Sequence, residues 1–573
     1  MYLKEIKIEN FRGIRSLALP LDALTVLIGE NNTGKSTVLE ALRLILMRGF
    51  GTRRGGHFTE YDFHLKDADA TPQIADPIKI KLHLSERTVN EWPDAVTQQL
   101  HEVIQIDSEG INHIYIQAEG AFNSELASFE TKLGFLNSSA VELILKNGTH
   151  LNLISRFVPL FFLSAIRDAS QEFGDRGQFW SGFLKSIQLP EEQRTQIEQT
   201  LREVNTSVIG ADSGLNEVMR KIADTGRLVP LDSTNPVVLE AIPTRIFDMV
   251  GKIQIHLKST YGAKLPLHLH GEGTQNLAVL MLFQAFAAAN LVESYAPEST
   301  PILALEEPEA HLHPSAIRLL GAFLETMTGQ ILVSSHSGDL VSRIPVKSLR
   351  RLYKQNGETK VGSVDSSALT DREMQAIDYS IRFTKGHYLF SRCWLLVEGE
   401  SDFHLMPLLF EAVGHNQDQI SFSILEISQV VGKGEAFIKL AKGLGIQWFL
   451  MADGDQAGNG YIERARSYLE NGEILENRAR KLDHSDIEHE FWHNGYDGFI
   501  KDLVPSARRR IIETQAENDT KKTKLLINEA ITQAGGKPGF AQKLATEIRN
   551  RDSSTIPPTI QNIIARVVQL AGG

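Results

Sequence analysis

The chain runs to 573 residues yet has a single cysteine, Cys393. That scarcity excludes an intrachain disulfide framework and fits a reducing compartment. No apolar run approaches the roughly 18 residues that span a bilayer. The opening "MYLKEIKIENFRGI" alternates charged and apolar residues without the apolar core of a signal peptide. A cytoplasmic location, with no membrane association, is therefore expected. Positive charge is in deficit: 59 Lys and Arg against 71 Asp and Glu leave a formal net charge of −12. Bulk electrostatics do not announce a nucleic-acid partner, although acidic metal sites can mask local basic patches. Internal repeats, low-complexity tracts and sustained heptads are missing too, so neither a repeat array nor a long coiled-coil arm is encoded. What remains, 42% hydrophobic and 23% charged residues, is an ordinary globular composition in a chain long enough for more than one domain.

Hydrophobic periodicity gives the organisation. A strand pattern, "YLKEIKIENF", precedes a second, "ALTVLIG", then a glycine-containing loop and the helix "STVLEALRLILM". Alternation returns in "IKIKLHLS" (78–85). Residues 168–255, with the charged "LPEEQRTQIEQTLREVNTSV", predict a helical insert. Strand patterns resume at "IQIHLKS", "PILALEE" and "GQILVSS". Near 370–390 the chain becomes helical and enters a second α/β unit at "CWLLVEG", which ends in a helical tail.

The segment "GENNTGKS" (29–36) matches G-x-x-x-x-G-K-[ST] between a strand and a helix, the context that motif requires. Gly29 and Gly34 let the loop curl so that backbone N–H groups meet phosphate oxygens. Lys35 would reach the β and γ phosphates and Ser36 would ligate Mg²⁺. Glu306 and Glu307 end the apolar strand of "ILALEEPEAHLHP"; the first would hold Mg²⁺ and the second polarise the attacking water. His311 and His313 read as loop residues at a subunit contact rather than a metal pair. "GEGTQN" (271–276) opens an amphipathic helix, where glycines suit anion contact or a plain cap. "ILVSSHS" places His336 at another strand end.

Taken in order, these pieces resemble the ATP-binding-cassette type of ATPase found in repair proteins. The resemblance implies that Asn31, Asn32, Thr33, Gly34, Lys35, Ser36 and Thr37 contact ATP, with Arg12 near the nucleotide. It also implies that Gly271, Gly273 and Gln275 form a signature loop completing the site of a second copy, and that His336 is the switch histidine.

A second constellation is acidic. In "LLVEGESDFHLMPLLF" Glu398 ends a strand and Asp402 lies in the first turn of the next helix. "MADGDQAG" puts Asp453 and Asp455 at i, i+2 after another buried strand, so both share a face. Carboxylates gathered at the carboxyl ends of neighbouring strands occupy the ligand-binding edge of open α/β sheets, and they repel one another unless a divalent metal intervenes. A calcium loop starting at Asp453 fails on spacing, because its fifth and twelfth positions are Ala457 and Arg464.

Glu398-Gly with Asp453-x-Asp455 resembles the Toprim domain of topoisomerases, primases and certain nucleases. Joined to the ATPase, and with "CWLLVEGESD", "DGDQAG", "DIEHEFW" and "KPGFAQKLA", nearly the whole chain resembles the OLD (overcoming-lysogenisation-defect) nuclease family, most like its class 2 branch. That implies an α/β architecture: cassette-type ATPase at 1–167 and 256–380, a helical dimerisation insert at 168–255, and a Toprim domain with helical elaborations at 385–573. It implies ATP-dependent DNA cleavage with two Mg²⁺ or Mn²⁺ ions held by Glu398, Asp402, Asp453 and Asp455, with Glu488 assisting. Lys537 would stabilise charge on the scissile phosphate. Asp402 stands where the family commonly has glutamate, which points to a shorter or water-mediated ligation. Expected partners are DNA, a second or further copy through the ATPase domains, and an accessory protein such as a helicase or defence-system component.

Alternatives are a repair ATPase whose Toprim unit only scaffolds, a topoisomerase or primase, and a zinc protease. No tyrosine nucleophile or nucleotide-polymerising context is marked for the topoisomerase or primase. The zinc reading rests on "HEFWH", in which His489 and His493 would bind the ion and Glu490 act as base. Basic clusters at 52–56, 506–510 and 520–524 are candidate counterweights to the acidic balance, with Arg508–Arg510 expected to flank a DNA path.

Overall fold

Alternation decides the first layer. In the strand Tyr2–Phe11, residues such as Ile6 and Ile8 point inward and are fully buried, while charged neighbours such as Lys7 face out. This strand pairs antiparallel with Ile14–Pro20 on one side and Ile78–Ser85 on the other. The sheet continues through Asn112–Asn123 to Ser128–Leu136 and the short Gln105–Ile106. The computed structural model describes residues 1–46, 57–67, 69–145, 150–163, 190–211, 214, 217, 242–245, 256–258, 264–289, 298–365, 367–384, 386–427 and 434–572.

The second sheet reads differently because it is covered on both faces, so its strands are continuous apolar runs rather than alternating ones. Leu24–Ile28 lies between Gln330–Ser334 and Leu349–Gln355, all parallel. Ile302–Glu306 and Leu160–Leu163 extend it in parallel, and Glu358–Ser363 closes the other edge as an antiparallel hairpin arm. The helix Lys35–Leu46 packs between the two sheets, its Val38, Leu39 and Leu42 fully buried.

The third sheet has four parallel strands in the order Phe422–Glu426, Cys393–Val397, Gln447–Ala452, Ala479–Lys481. Cys393 lies wholly inside it, and burial pushes its thiol up to about 12, which makes it an inert core residue. The helices Glu400–Ala412, Lys537–Arg551 and Pro558–Ala571 share a core with this sheet. A single hydrophobic cluster joins the second and third sheets, running from Val26 and Leu349 to Leu444 and Trp448. Of the insert predicted at 168–255, the helix Glu191–Ala211 is described; 168–189 and 218–241 lie outside the described residues, as does the basic cluster at 52–56.

Candidate functional sites

The phosphate loop leaves the strand Leu24–Ile28 and enters the helix that starts at Lys35. Gly29 has φ +143° and lies so close to Leu352 that an added Cβ would be 2.1 Å from its carbonyl oxygen; Gly34 has φ +103°. Only glycine meets both demands without strain. Asn32 takes the left-handed conformation at φ 62°, and the Thr33 hydroxyl donates to the Glu30 carbonyl at 2.8 Å. Lys35 Nζ turns into the loop, donating to the carbonyls of Gly29 at 2.8 Å and Glu30 at 2.7 Å. Burial lowers its amine to about 8. An anion in the loop would restore the charged form, so the cradle fits a polyphosphate. Ser36 is exposed beside it and Thr37 partly so.

Across the sheet, Glu306 ends its strand opposite Ser334. Glu307 adopts φ 46°, an unusual conformation for a non-glycine residue and of the kind that concentrates at functional sites. Its carboxylate stands 3.5 Å from His336 Nε2. Burial and Lys35 lower the His336 pKa, partly offset by Glu307. Glu309, which the sequence reading passed over, holds this corner in place. It is half-buried, and its Oε1 accepts from the Ser335 hydroxyl at 2.5 Å and the His336 amide at 3.0 Å. Its signal was available in "EEPEAH", where a third carboxylate follows the strand end.

Gly271 and Gln275 open the helix Glu272–Ala289, and Gly273 packs against the loop after Glu307, where a Cβ would lie 2.7 Å from the His311 carbonyl oxygen. His311 pairs with Glu272 at 3.2 Å, and His313 caps the helix Pro314–Thr326. These two histidines therefore have structural partners within the chain. Arg12 bonds Asp62 at 2.9 Å and lies 3.8 Å from Glu40 on the phosphate-loop helix, so it braces that helix from outside the loop.

The acidic site forms at the carboxyl ends of the third sheet. Glu398 follows Cys393–Val397, and its Oε2 accepts the Asp453 amide at 3.2 Å. Asp402 is almost fully buried; its Oδ2 accepts from the Gly399 amide at 3.1 Å, while its Oδ1 has no partner among the described residues. Burial, then repulsion from Glu488, Glu398 and Asp486, raises Asp402 to about 7. Burial and the same kind of crowding raise Asp453 to about 8. Asp455 Oδ1 caps the helix Gln456–Arg466 by accepting from Gly458 at 2.9 Å, which fixes the carboxylate at the helix start.

Glu488 lies in the short helix Ile487–Phe491 and its Oε1 accepts from Ser401 at 2.5 Å; burial raises its pKa. Asp486, another residue missed from sequence, caps that helix. Burial opposes its ionisation, but hydrogen bonds from the amide and ring of His489 outweigh it and hold the carboxyl below its usual range. A cavity of about 230 Å³ is lined by Asp402, Asp453, Asp486 and Glu488 together with Lys524, Asn528 and Lys537. Lys524, part of a charge run in the sequence, is exposed and lines the cavity from the helix Asp519–Gln533.

An unpartnered buried carboxylate oxygen among mutually repelling acids is the donor set that a hard divalent cation neutralises. Among the described residues no three ligating side chains already enclose a metal-sized gap. The carboxylates are neighbours that must rotate to share an ion. "HEFWH" serves another purpose. His489 is committed to Asp486, Glu490 is buried with Oε2 accepting the His484 amide at 3.0 Å, and His493 stacks on His484. The helix also breaks after Phe491 into a wider turn with Gly495 at φ 89°. Of the basic cluster at 506–510, Arg508 faces Glu529 at 3.6 Å and Arg509 pairs with Asp502 at 3.2 Å, so both have acidic partners at home.

Fold and sites together define a phosphate-loop ATPase fused to a small parallel sheet bearing a carboxylate cluster. Residues 1–341 match the family model described as an AAA ATPase domain, and residues 389–455 match the TOPRIM domain of overcoming lysogenization defect protein-like chains. The chain belongs to the AAA ATPase domain family and carries an OLD-like TOPRIM domain behind it. It is similar to the uncharacterized protein YbjD of Escherichia coli (strain K12), 26% identical over 593 residues with 100% of both chains covered. It is also similar to the Old nuclease of Escherichia phage P2, 23% identical, covering 80% of this chain and 78% of that one. The OLD nuclease of Thermus scotoductus is 25% identical, covering 79% and 82% respectively.

Proposed function

We propose that this chain is an ATP-dependent, divalent-metal-dependent DNA endonuclease. The observation that supports it is the lining of the 230 Å³ cavity, which brings four carboxylates together with two lysines and an asparagine, on the same chain as a formed phosphate loop. Mg²⁺ or Mn²⁺ held by Glu398, Asp402, Asp453, Asp455 and Glu488 would supply an activated water and stabilise the leaving oxygen. Lys524 and Lys537 bind and orient the scissile phosphate beside the carboxylates. Ser401 keeps the Glu488 carboxylate aimed at the cavity.

At the other site Lys35 and the loop amides bind the phosphates, Ser36 and Glu306 take Mg²⁺, and Glu307 orients water beside His336. Gly271, Gly273 and Gln275 complete the site of a second copy, so ATP state sets the geometry of a homodimer and through it access to the acidic cavity. One direct physical link is Glu30 of the loop, which grips Arg392 beside the first Toprim strand at 2.5 and 2.8 Å. Among the described residues no helix is long and apolar enough to cross a membrane. A cytoplasmic setting in phage defence or DNA repair belongs to the same proposal.

The test is to incubate supercoiled and linear DNA with Mg²⁺ or Mn²⁺, with and without ATP, using wild type and Asp453→Ala. Metal-dependent cleavage that disappears in the variant is expected. Cleavage persisting undiminished, or no cleavage by wild type under any arm, overturns the reading.

A further inference from the structure

Behind the phosphate loop, a cavity of about 410 Å³ opens where the two lobes meet. Arg351, Tyr353 and Lys354 line it from the strand Leu349–Gln355, Glu30 from the phosphate loop, Arg392 from the start of the inner Toprim strand Cys393–Val397 and Leu570 from the last helix. Three cations against one carboxylate leave an excess of two positive charges on its wall, in a chain whose net charge is −12.

Arg351 is only 2% exposed. Its Nη atoms donate to the carbonyls of Gly445 at 3.1 Å and Ser391 at 2.9 Å, and its Nε finds no acceptor among the described residues. No carboxylate among them lies within ion-pair distance of it or of Lys354, whose Nζ rests on the Gly13 carbonyl at 2.9 Å. A buried guanidinium without a carboxylate is costly, and an incoming anion relieves that cost. The volume lies within the roughly 300–1,000 Å³ of small-molecule sites. Tyr353 and the apolar end of the last helix provide surface for an uncharged ring.

We propose that this cavity binds a small phosphate-bearing molecule of mononucleotide size. Its phosphate sits between Arg392 and Lys354, beside Arg351, with the remainder against Tyr353. Occupancy competes with Glu30 for Arg392, and because Glu30 lies between Gly29 and Lys35, the ligand acts on the phosphate loop from behind. The site does not depend on the nuclease reading.

Binding is measured by calorimetry on the full chain carrying Lys35→Ala, which disables the phosphate loop, with no divalent metal present. The probes are AMP, ribose 5-phosphate and inorganic phosphate. Saturable binding of at least one probe, one site per chain, is expected. It weakens about tenfold or more in Lys354→Gln and in Arg392→Gln, as loss of a charge-assisted phosphate contact requires. It tightens in Glu30→Gln, where the intramolecular competitor is gone, and is unchanged in Asp453→Ala. Binding of all three probes assigns recognition to the phosphate alone; binding of AMP only adds the base, and Tyr353→Leu then weakens it. Matching thermal midpoints establish that the variants fold, and Lys354, an exposed residue, keeps the test decisive if Arg392→Gln does not. Absence of saturable binding by every probe, or affinities untouched in both Lys354→Gln and Arg392→Gln, overturns the proposal.

Discussion

The backbone N–H of Asp453 donates to Glu398 Oε2 at 3.2 Å, tying the ends of two adjacent parallel strands into one acidic corner. Asp453→Asn keeps that amide contact and the side-chain shape while removing ligand charge. DNA cleavage is expected to fall by at least about a hundredfold, because several kcal/mol of charge stabilisation are lost. ATP hydrolysis by the same preparation should stay within about twofold of wild type. A gel-based cleavage assay beside a phosphate-release assay separates the two; equal losses in both would refute independent sites.

Asp402 at about 7 and Asp453 at about 8 hold protons near neutrality when no cation is bound, chiefly because they are buried and then because other carboxylates crowd them. A metal must displace those protons, so its apparent affinity rises as pH climbs toward 8 and levels off above it. Each proton displaced is worth about tenfold per pH unit below the group's own value. The sign for stability is opposite in the metal-free protein. Both folded-state values lie above the unfolded ones, so the stabilisation is complete below about pH 4, falls as pH rises from there, and is lost once pH has passed the folded values of about 7 and 8. Calorimetric titration of Mn²⁺ in buffers of different ionisation heat counts the released protons. Asp402→Asn should reduce that count, and an affinity independent of pH would contradict the arrangement.

Glu307 combines a strained backbone with a carboxylate 3.5 Å from His336. Glu307→Gln should lower ATP hydrolysis by about 10²- to 10⁴-fold, the range for removal of a general base, with ATP binding retained. Lys35→Ala should instead weaken ATP binding itself. Equilibrium binding of a fluorescent ATP analogue against turnover distinguishes the two variants. Wild-type turnover in Glu307→Gln would reassign the attacking-water role to another residue.

The features legible in the sequence were those whose chemistry depends on neighbours in the chain. The phosphate loop, the apolar strands ending in Glu306, Glu398 and Asp453, and the acidic i, i+2 pair all announce themselves locally. Glu309 did not, because its partner is brought in by tertiary packing. Asp486 has its partner His489 in the helix that it caps and joins the site only where the fold places it at the cavity; Lys524 stood in a basic run with nothing local to aim it. Glu309 is defined by the Ser335 hydroxyl and the His336 amide, and Lys524 by its place in the lining of the acidic cavity. "HEFWH" misleads for the converse reason. Its spacing suits a regular helix, whereas the chain bends at Gly495 and gives each polar residue a separate partner.

Two glycines hold the acidic turn closed. A Cβ on Gly454 would lie 2.0 Å from the His484 carbonyl oxygen, and one on Gly458 would lie 1.9 Å from that of Asp453. Backbone cannot yield there as the end of a flexible side chain can. Gly454→Ala should therefore destabilise the protein by about 1–3 kcal/mol, the cost of overpacking, and move both aspartates. The distinguishing readout is metal affinity measured well below the thermal transition, where the variant is folded. A variant with wild-type Mn²⁺ affinity would mean that the turn can relax without shifting its carboxylates.

Glu490 separates the structural from the catalytic reading of its segment. It is 1% exposed and its Oε2 accepts the His484 amide at 3.0 Å, which anchors the loop between the strand Ala479–Lys481 and the helix Ile487–Phe491. Burial raises its pKa, and it is a buried acceptor outside the acidic cavity's lining. Glu490→Ala leaves the His484 amide without its partner, a loss of about 1–3 kcal/mol in thermal or denaturant unfolding. DNA cleavage below the transition should persist, because the groups on the cavity wall are untouched. A zinc-protease role requires the reverse, namely unchanged stability and complete loss of a peptidase activity that depends on one bound zinc. Metal content and casein hydrolysis of the wild-type protein, set against its unfolding curve and that of Glu490→Ala, decide between them.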